Sequence, residues 1–394
     1  MKIGKQSFRL DKTVYFRSSC TIVGPKENEG NYRDLFDIVL RDDRWGEKSY
    51  EKAESKMHRK AIEGALAKSG LSAEDIDFML AGDLLNEISA SNLAMRHFKV
   101  PFIGLYNACS TFTEAVLLGA ILIETGAAHA VCCSTSSHFA SAERQYRYPL
   151  ELGNQRTPTS QWTVTGAGAS VLTAARPTKE ERSAGARKFG EYLKELSEDE
   201  KESGGKTAEL MRKCGRRPKP DYRVTWKDET SDRDFAVRLV EGTFGRVVDL
   251  GIDDESNMGA AMAPAAADTL LSHLEDTGRT PSDYDAIFTG DLGRFGKQAL
   301  EYLLSTENVE PGAGYRDCGA GFYTPEQQTF QGGSGAGCVN VTFNADILPR
   351  MERGELKRVL VLATGALLNK DTPLQKETIP GISHAFVVEA EPLK

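Results

Sequence analysis

Histidine is scarce in this 394-residue chain: there are six, and no two stand three to five residues apart. The seven cysteines (20, 109, 132, 133, 214, 318 and 338) also lack metal-site spacing, since Cys132 and Cys133 are adjacent and form no CxxC. A zinc site and a disulfide framework are therefore not expected, and the thiols should be free and mostly buried. No GxxxxGK[ST] loop occurs, and neither Gly166-Ala167-Gly168 nor the 333–337 stretch GSGAG completes GxGxxG. These glycines read as places of close packing, which excludes a nucleotide site. There is no run of about 18 apolar residues, so no membrane span is expected. The opening MKIGKQSFRLDKTVYFRSSC lacks the continuous apolar core of a secretory signal. Positive charge is in deficit: 49 Lys and Arg stand against 57 Asp and Glu, a net charge of −8. Binding to nucleic acid, or directly to anionic lipid, has no electrostatic support. A cytosol-like compartment is expected.

With 40% apolar and 27% charged residues the chain has the makings of a packed core, and its length suggests two core-forming units. An internal repeat supplies them. Ile76 to Leu84 (IDFMLAGDL) recurs as Tyr284 to Leu292 (YDAIFTGDL), each a short apolar run ending in Gly-Asp after an amphipathic helical stretch (about 51–69 and 262–276). The run Phe102 to Ser110 (FIGLYNACS) enters a small-residue turn that Phe330 to Ser334 (FQGGS) repeats. Each turn leads into a helix, Thr111 to Thr125 or Gly335 to Arg353, that stops at Gly126 or Gly354. Buried strands follow at His129 to Ser134 and Arg358 to Ala363, then closing strands at Gly168 to Ala174 and His384 to Ala390. Two copies of a strand–helix–strand unit imply an α/β protein of two similar halves. Residues 1–176 and 235–394 are the expected halves. Between them, 29 of the 58 residues from Pro177 to Asp234 are charged. That insertion reads as a solvated helix or helical hairpin over 179–213, broken at Ser203-Gly204-Gly205, with a partner-binding arm as the alternative.

Related halves bring the two turn–helix junctions together near their pseudo-twofold axis. Ser110 and Ser334 then stand at the starts of two buried helices whose free N–H groups and positive dipole ends make an anion site suited to a dianion. A cysteine on such a turn, Cys109, has its thiolate favoured, with a small buried filler as the alternative reading.

The NACS turn, its Gly333-Ser334 mirror and the order of the five duplicated elements resemble the thiolase fold of thiolases and ketoacyl synthases. Longer stretches are similar to the stage V sporulation protein AD (SpoVAD) family of endospore-forming bacteria: AGDLLN (81–86), STSSHF and AERQYRYP within 134–149, GRVVDLGI (245–252), MGAAMAPAAADT (258–269), GRTPSDYDAIFTGDL (278–292), YTPEQQ (323–328), GGSG (332–335) and VLATGALL (361–368). The likeness covers nearly the whole chain except 177–234. It implies a five-layered α/β/α/β/α arrangement and a binding protein with no cofactor. The expected ligand is dipicolinic acid (pyridine-2,6-dicarboxylate), free or as its calcium chelate. The expected partners are membrane-embedded SpoVA proteins on the forespore inner membrane, with a homodimer left open.

Condensing enzymes of this fold add to the cysteine a His or Asn from each of two later loops. Where His-x-x-Asn would stand, this chain reads Gly290-Asp291-Leu292-Gly293, and where Gly-His-Pro or Gly-Asn-Thr would stand it reads Gly332-Gly333-Ser334. Condensation is therefore not expected, and the alternative is a degenerate acyl-thioester transferase using Cys109. Expected ligand contacts are Cys109, Ser110, Gly333 and Ser334, with Arg144 or Arg147 as a fork on one carboxylate and Tyr146 and Tyr148 flanking the ring. His138 and His384 are the histidines placed to reach such a pocket, a structural role being the other reading of each. Asp83 and Asp291 are expected to cap loops or hold the fold rather than touch a dianion.

Overall fold

The strands that carry the repeat are apolar along almost their whole length, so each must be covered on both faces. The computed structural model describes residues 1–146, 156–203 and 220–393. The first half contains β1 (Lys2–Ile3), β2 (Ser7–Val23), β3 (Ile38–Leu40), α1 (Tyr50–Ser69), β4 (Phe78–Gly82), α2 (Ser89–Met95), β5 (Phe102–Gly104), α3 (Thr111–Thr125), β6 (Ala130–Ser137), α4 (Phe139–Tyr146), β7 (Trp162–Thr163) and β8 (Gly166–Thr173). The charged segment 177–234, expected as an insertion, contributes α5 (Lys179–Ser203) and β9 (Tyr222–Val224). The second half contains β10 (Phe235–Phe244), α6 (Met258–Thr277), β11 (Ala286–Gly290), α7 (Gly293–Thr306), β12 (Tyr315–Asp317) and β13 (Gly333–Ser334). It continues with α8, which spans 338–352 and holds one π-helical turn at Phe343–Ile347, then β14 (Arg358–Ala366), α9 (Asp371–Leu374) and β15 (Gly381–Pro392).

The sheet order β12-β11-β14-β15-β10-β2-β8-β6-β4-β5 is a palindrome of the repeat. In both halves the Gly-Asp strand (β4 or β11) lies parallel to its two neighbours, and the closing strand (β8 or β15) runs antiparallel. The halves join where β2 pairs antiparallel with β10 across a register break at Leu239 to Glu241. Helices α3 and α8 both pack against strands of both halves, which makes them the central layer. There Phe16, Phe112, Phe343 and Phe386 meet, and the Phe112 and Phe343 rings lie 5.8 Å apart, joining the two helices. Helix α1 with α5 covers the outer face of the first half, and α6 with α7 that of the second.

One 18-residue stretch among the described residues, Ala108–Thr125, is long and apolar enough to cross a membrane, but 67% of it is buried inside the protein as the central α3. The six described cysteines are free and buried, while Cys214 lies outside the described residues. The helix of the charged segment runs to Ser203 and is not the solvated helix expected, since Phe189 and Leu196 are buried in the same core as α1; the expected break beyond it falls outside the described residues.

Candidate functional site

The turn before α3 is wired to itself. Thr111 Oγ1 accepts the Asn107 N–H and donates to the Ala108 carbonyl, and both the N–H and the hydroxyl of Ser110 donate to the Asn107 carbonyl. Ala108 at its centre holds φ +50°, a left-handed conformation that costs a non-glycine residue of order 1 kcal/mol or more. Strand β14 holds it there: a Cβ on Gly365 would come within 2.3 Å of the Asn107 carbonyl oxygen, so only glycine lets β14 approach this closely. The strained residue sits immediately before Cys109 and fixes the direction in which that side chain leaves the turn.

Cys109 faces a small, mostly apolar pocket that is partly open to solvent. Across it stands Ser334 on the short parallel pair β7–β13, in which Trp162 aligns with Gly333 and Thr163 with Ser334. Leu84, Met258, Ala366 and Leu368 supply apolar wall, and Tyr106 and Tyr146 close one side. The tyrosine hydroxyls lie 3.0 Å apart, and Tyr146 donates to the Leu84 carbonyl, so the Tyr106 hydroxyl is the donor between the two. Burial raises the pKa of both phenols, keeping them protonated at neutral pH. Glu143 is the acidic member of the lining, and no Lys or Arg lines the cavity among the described residues.

Thus the structure brings Cys109, Ser334 and Tyr146 together. Ser110 is fully buried and its donors are spent within the turn. Gly333 lies on β13 with its N–H on the Gly319 carbonyl and its own carbonyl accepting from Gln161. His384 stands behind the turn, not on the cavity wall: its Nδ1 accepts the Gly245 N–H at 3.1 Å, leaving the ring proton on Nε2, 3.2 Å from the Asn107 side-chain amide. Burial lowers the His384 pKa to about 4, so the ring is neutral. His138 is fully buried with both nitrogens engaged, Nε2 on the Asp43 carbonyl and Nδ1 on the Ala140 N–H, where it caps α4. Arg144 is ion-paired with Glu51 and does not line the cavity. Arg147 and Tyr148 lie outside the described residues.

Asp83 is buried and holds the start of α2 through Leu85 N, Ser91 N and Ser91 Oγ, at 2.6–2.8 Å. Asp291 is also fully buried, but neither carboxylate oxygen has a hydrogen-bond partner that meets ordinary geometry. Burial, with Asp317 nearby, raises its pKa well above the carboxylate range although Cys338 and the Gly335 N–H face it. Asp291 therefore occupies the start of α8 that the sequence leaves for an anion, and it does so as a neutral acid. The loop-holding role falls to Asp317, which accepts from Leu292 N, Gly293 N, Ala320 N and Thr289 Oγ1.

Several lining residues carry no chemical signal in the sequence: Tyr106, Thr163, Met258, Leu84, Ala366 and Leu368. Four of them do lie within the distinctive stretches AGDLLN, MGAAMAPAAADT and VLATGALL.

A mirrored pair of half-sheets around two buried helices, with a cysteine at the start of the first, defines a thiolase-fold protein. Solved structures of that fold align along almost the entire chain: the tetronic acid condensing enzyme AbyA1 (14% identity, 95% of this chain and 99% of that one, TM-score 0.53), a variant of Xanthomonas campestris OleA with cerulenin (13%, 97% and 98%, 0.53) and human mitochondrial 3-ketoacyl-CoA thiolase with CoA (10%, 98% and 99%, 0.52). The model of the family stage V sporulation protein AD (SpoVAD) matches residues 4–192 and 229–389. Stage V sporulation protein AD of Bacillus subtilis (strain 168) is 37% identical over 386 residues, covering 98% of this chain and 97% of the relative. The chain belongs to the SpoVAD family and is a sporulation protein.

Proposed function

We propose that this protein binds dipicolinic acid as a peripheral subunit of the SpoVA apparatus that imports it into the forespore. The observation that carries the reading is a pocket kept without its chemistry. The cavity in front of Cys109 is formed, while the positions where condensing enzymes carry polarising His and Asn residues hold the sequestered Asp291 and the Gly333-Ser334 turn. The flat ring would lie against Tyr106, Tyr146 and Leu84, with its carboxylates toward the hydroxyls of Thr163 and Ser334. A free dianion finds no Lys or Arg on the described lining and meets Glu143 there, so the calcium chelate, whose charges cancel, suits it better. Docking on the inner membrane would then run through membrane-embedded SpoVA partners, with self-association into a homodimer compatible with that arrangement.

Calorimetric titration with dipicolinate, with and without calcium, tests this. Saturable binding that is strengthened by calcium, abolished in Ala142→Phe and retained in Cys109→Ala is expected, with no response to acetyl-CoA. A second reading, acyl transfer at Cys109, has one observation in its favour: the strained Ala108 that aims the thiol into the cavity. Absence of dipicolinate binding together with a Cys109-dependent reaction with acetyl-CoA would replace the first reading by the second.

A further inference from the structure

A second concave site lies where the insertion meets both halves. The cleft, about 520 Å³, draws Arg17 and Lys68 from the first half, Arg182, Lys227 and Arg233 from the insertion, and Glu352 from α8. It shares no lining residue with the Cys109 cavity. Arg17 and Lys68 have partners of their own, Glu181 at 3.0 Å and Asp37. Glu229, the other acid on the lining, pairs with Arg353 at 4.0 Å.

Arg182 and Arg233 are short of counter-charge. Both lean on the single carboxylate of Glu352, Arg182 Nη2 at 3.0 Å from Oε1 and Arg233 Nη1 at 2.8 Å from Oε2. Side-chain exposure is 7% for Arg182, 6% for Glu352 and 25% for Arg233, so two guanidinium charges share one carboxylate charge, Arg182 almost out of water and Arg233 partly exposed. The Nε–H groups of both arginines have no acceptor. Lys227, exposed on the cleft, has no ion pair among the described residues. A buried cation left half-satisfied is costly, and the cost disappears when a second anion brings two carboxylate-like groups to two guanidiniums.

We propose that this cleft is an anion-binding site that takes a small oxyanion, a carboxylate or phosphate group, on Arg182 and Arg233, with Lys227 beside its entrance. The planar guanidinium edges favour an oxyanion that can accept two hydrogen bonds over a spherical halide. The pairing also makes the site responsive to how the insertion is seated. Arg182 and Arg233 stand near the two ends of the segment 177–234, so a bound anion bridges those ends.

The test is calorimetric titration and thermal unfolding of the full chain with inorganic phosphate and, separately, citrate, at constant ionic strength with chloride as reference. Saturable binding of at least one is expected, and which one binds identifies a phosphate or a carboxylate ligand. Arg233→Gln and Arg182→Met should each weaken binding tenfold or more, and Cys109→Ala should leave it unchanged. Should Arg182→Met fail to fold, Arg233→Gln, at the more exposed arginine, decides alone. No saturable binding of either anion, or equal binding by wild type and the folded arginine variants, would overturn the proposal.

Discussion

The two halves agree at their edges and diverge at their meeting point. At the outer ends of the sheets the mirror is close: Asp77 Oδ2 accepts the His129 and Ala130 N–H groups, and Asp285 Oδ2 accepts those of Lys357 and Arg358, bracing β6 and β14 alike. The turns ahead of them carry matching capping boxes, Ser72 with Asp75 and Thr280 with Asp283. Next to the cavity the same register positions hold different residues. Ser137 on β6 uses its hydroxyl to donate to the Val164 carbonyl and to accept the Gly337 N–H at the start of α8. Its counterpart on β14 is Gly365, pressed against the turn that precedes α3. The duplicated architecture needs the edge devices twice, whereas the site needs one cysteine turn and one supporting turn, so symmetry is kept outside and dropped inside.

The largest expected effect comes from forcing the two central positions to match. Gly365→Val must displace the Asn107 carbonyl, and we expect a loss of about 3 kcal/mol or more, together with loss of ligand binding at the Cys109 cavity. Ser137→Gly removes two hydrogen bonds and should cost about 1–2 kcal/mol. Chemical denaturation of both variants tests the pair, and equal losses would show that the asymmetry at this register has no mechanical meaning. The second contrast is Asp83 against Asp291. Asp83→Ala strips three donors of their acceptor and should cost about 2–3 kcal/mol. Asp291→Leu removes an acid whose burial is uncompensated, so it should be neutral or stabilising by about 1–2 kcal/mol. A loss at Asp291→Leu as large as that at Asp83→Ala would mean the Gly335 and Cys338 contacts hold that carboxyl more firmly than its geometry indicates.

This pair of aspartates also marks how far the sequence could be read. Gly82-Asp83 and Gly290-Asp291 look alike in one dimension, and the repeat correctly places both at the ends of parallel strands. Their environments differ because the partners come from outside the repeated strands: Ser91, in the following helix, turns back onto Asp83, while Asp317, well beyond the end of α7, takes over the loop beside Asp291. Periodicity reports local faces and says nothing of such long-range substitutions. The same limit governs the site. Cys109 and Ser334 could be located because turns into buried helices have a composition. The apolar wall could not, since Leu84, Met258 and Leu368 differ from core residues only by where the chain folds them. His138 and Arg144 have the right chemistry for a ligand, but an Asp43 carbonyl and Glu51, both far away in sequence, claim them first.

The smallest contrast is in proton binding, and pH separates the titrating groups. In the folded protein burial lowers the pKa of His58 to about 3 and those of His273 and His384 to about 4, so these rings are neutral in both states above pH 6.5. They withdraw stability only as pH falls below that point. Buried acids act in the opposite sense. Burial, reinforced by Asp83, raises Glu54 to about 8, and burial raises Glu27 to about 7 against the hydrogen bonds from Tyr323 and Thr165. Across pH 6.5 to 8 the native protein holds protons that the unfolded chain has released, so stability falls as pH rises. Glu54 belongs wholly to the first half, where Ser136 and Ser141 donate to it, whereas Glu27 is tied to the second half through Tyr323. Glu54→Gln and Asp291→Leu should therefore each remove a share of the slope, at most about 1.4 kcal/mol per pH unit apiece, and Glu27→Gln a smaller part confined below about pH 7. Calorimetric unfolding at several pH values decides this: a slope undiminished in Glu54→Gln would move the proton out of the first half.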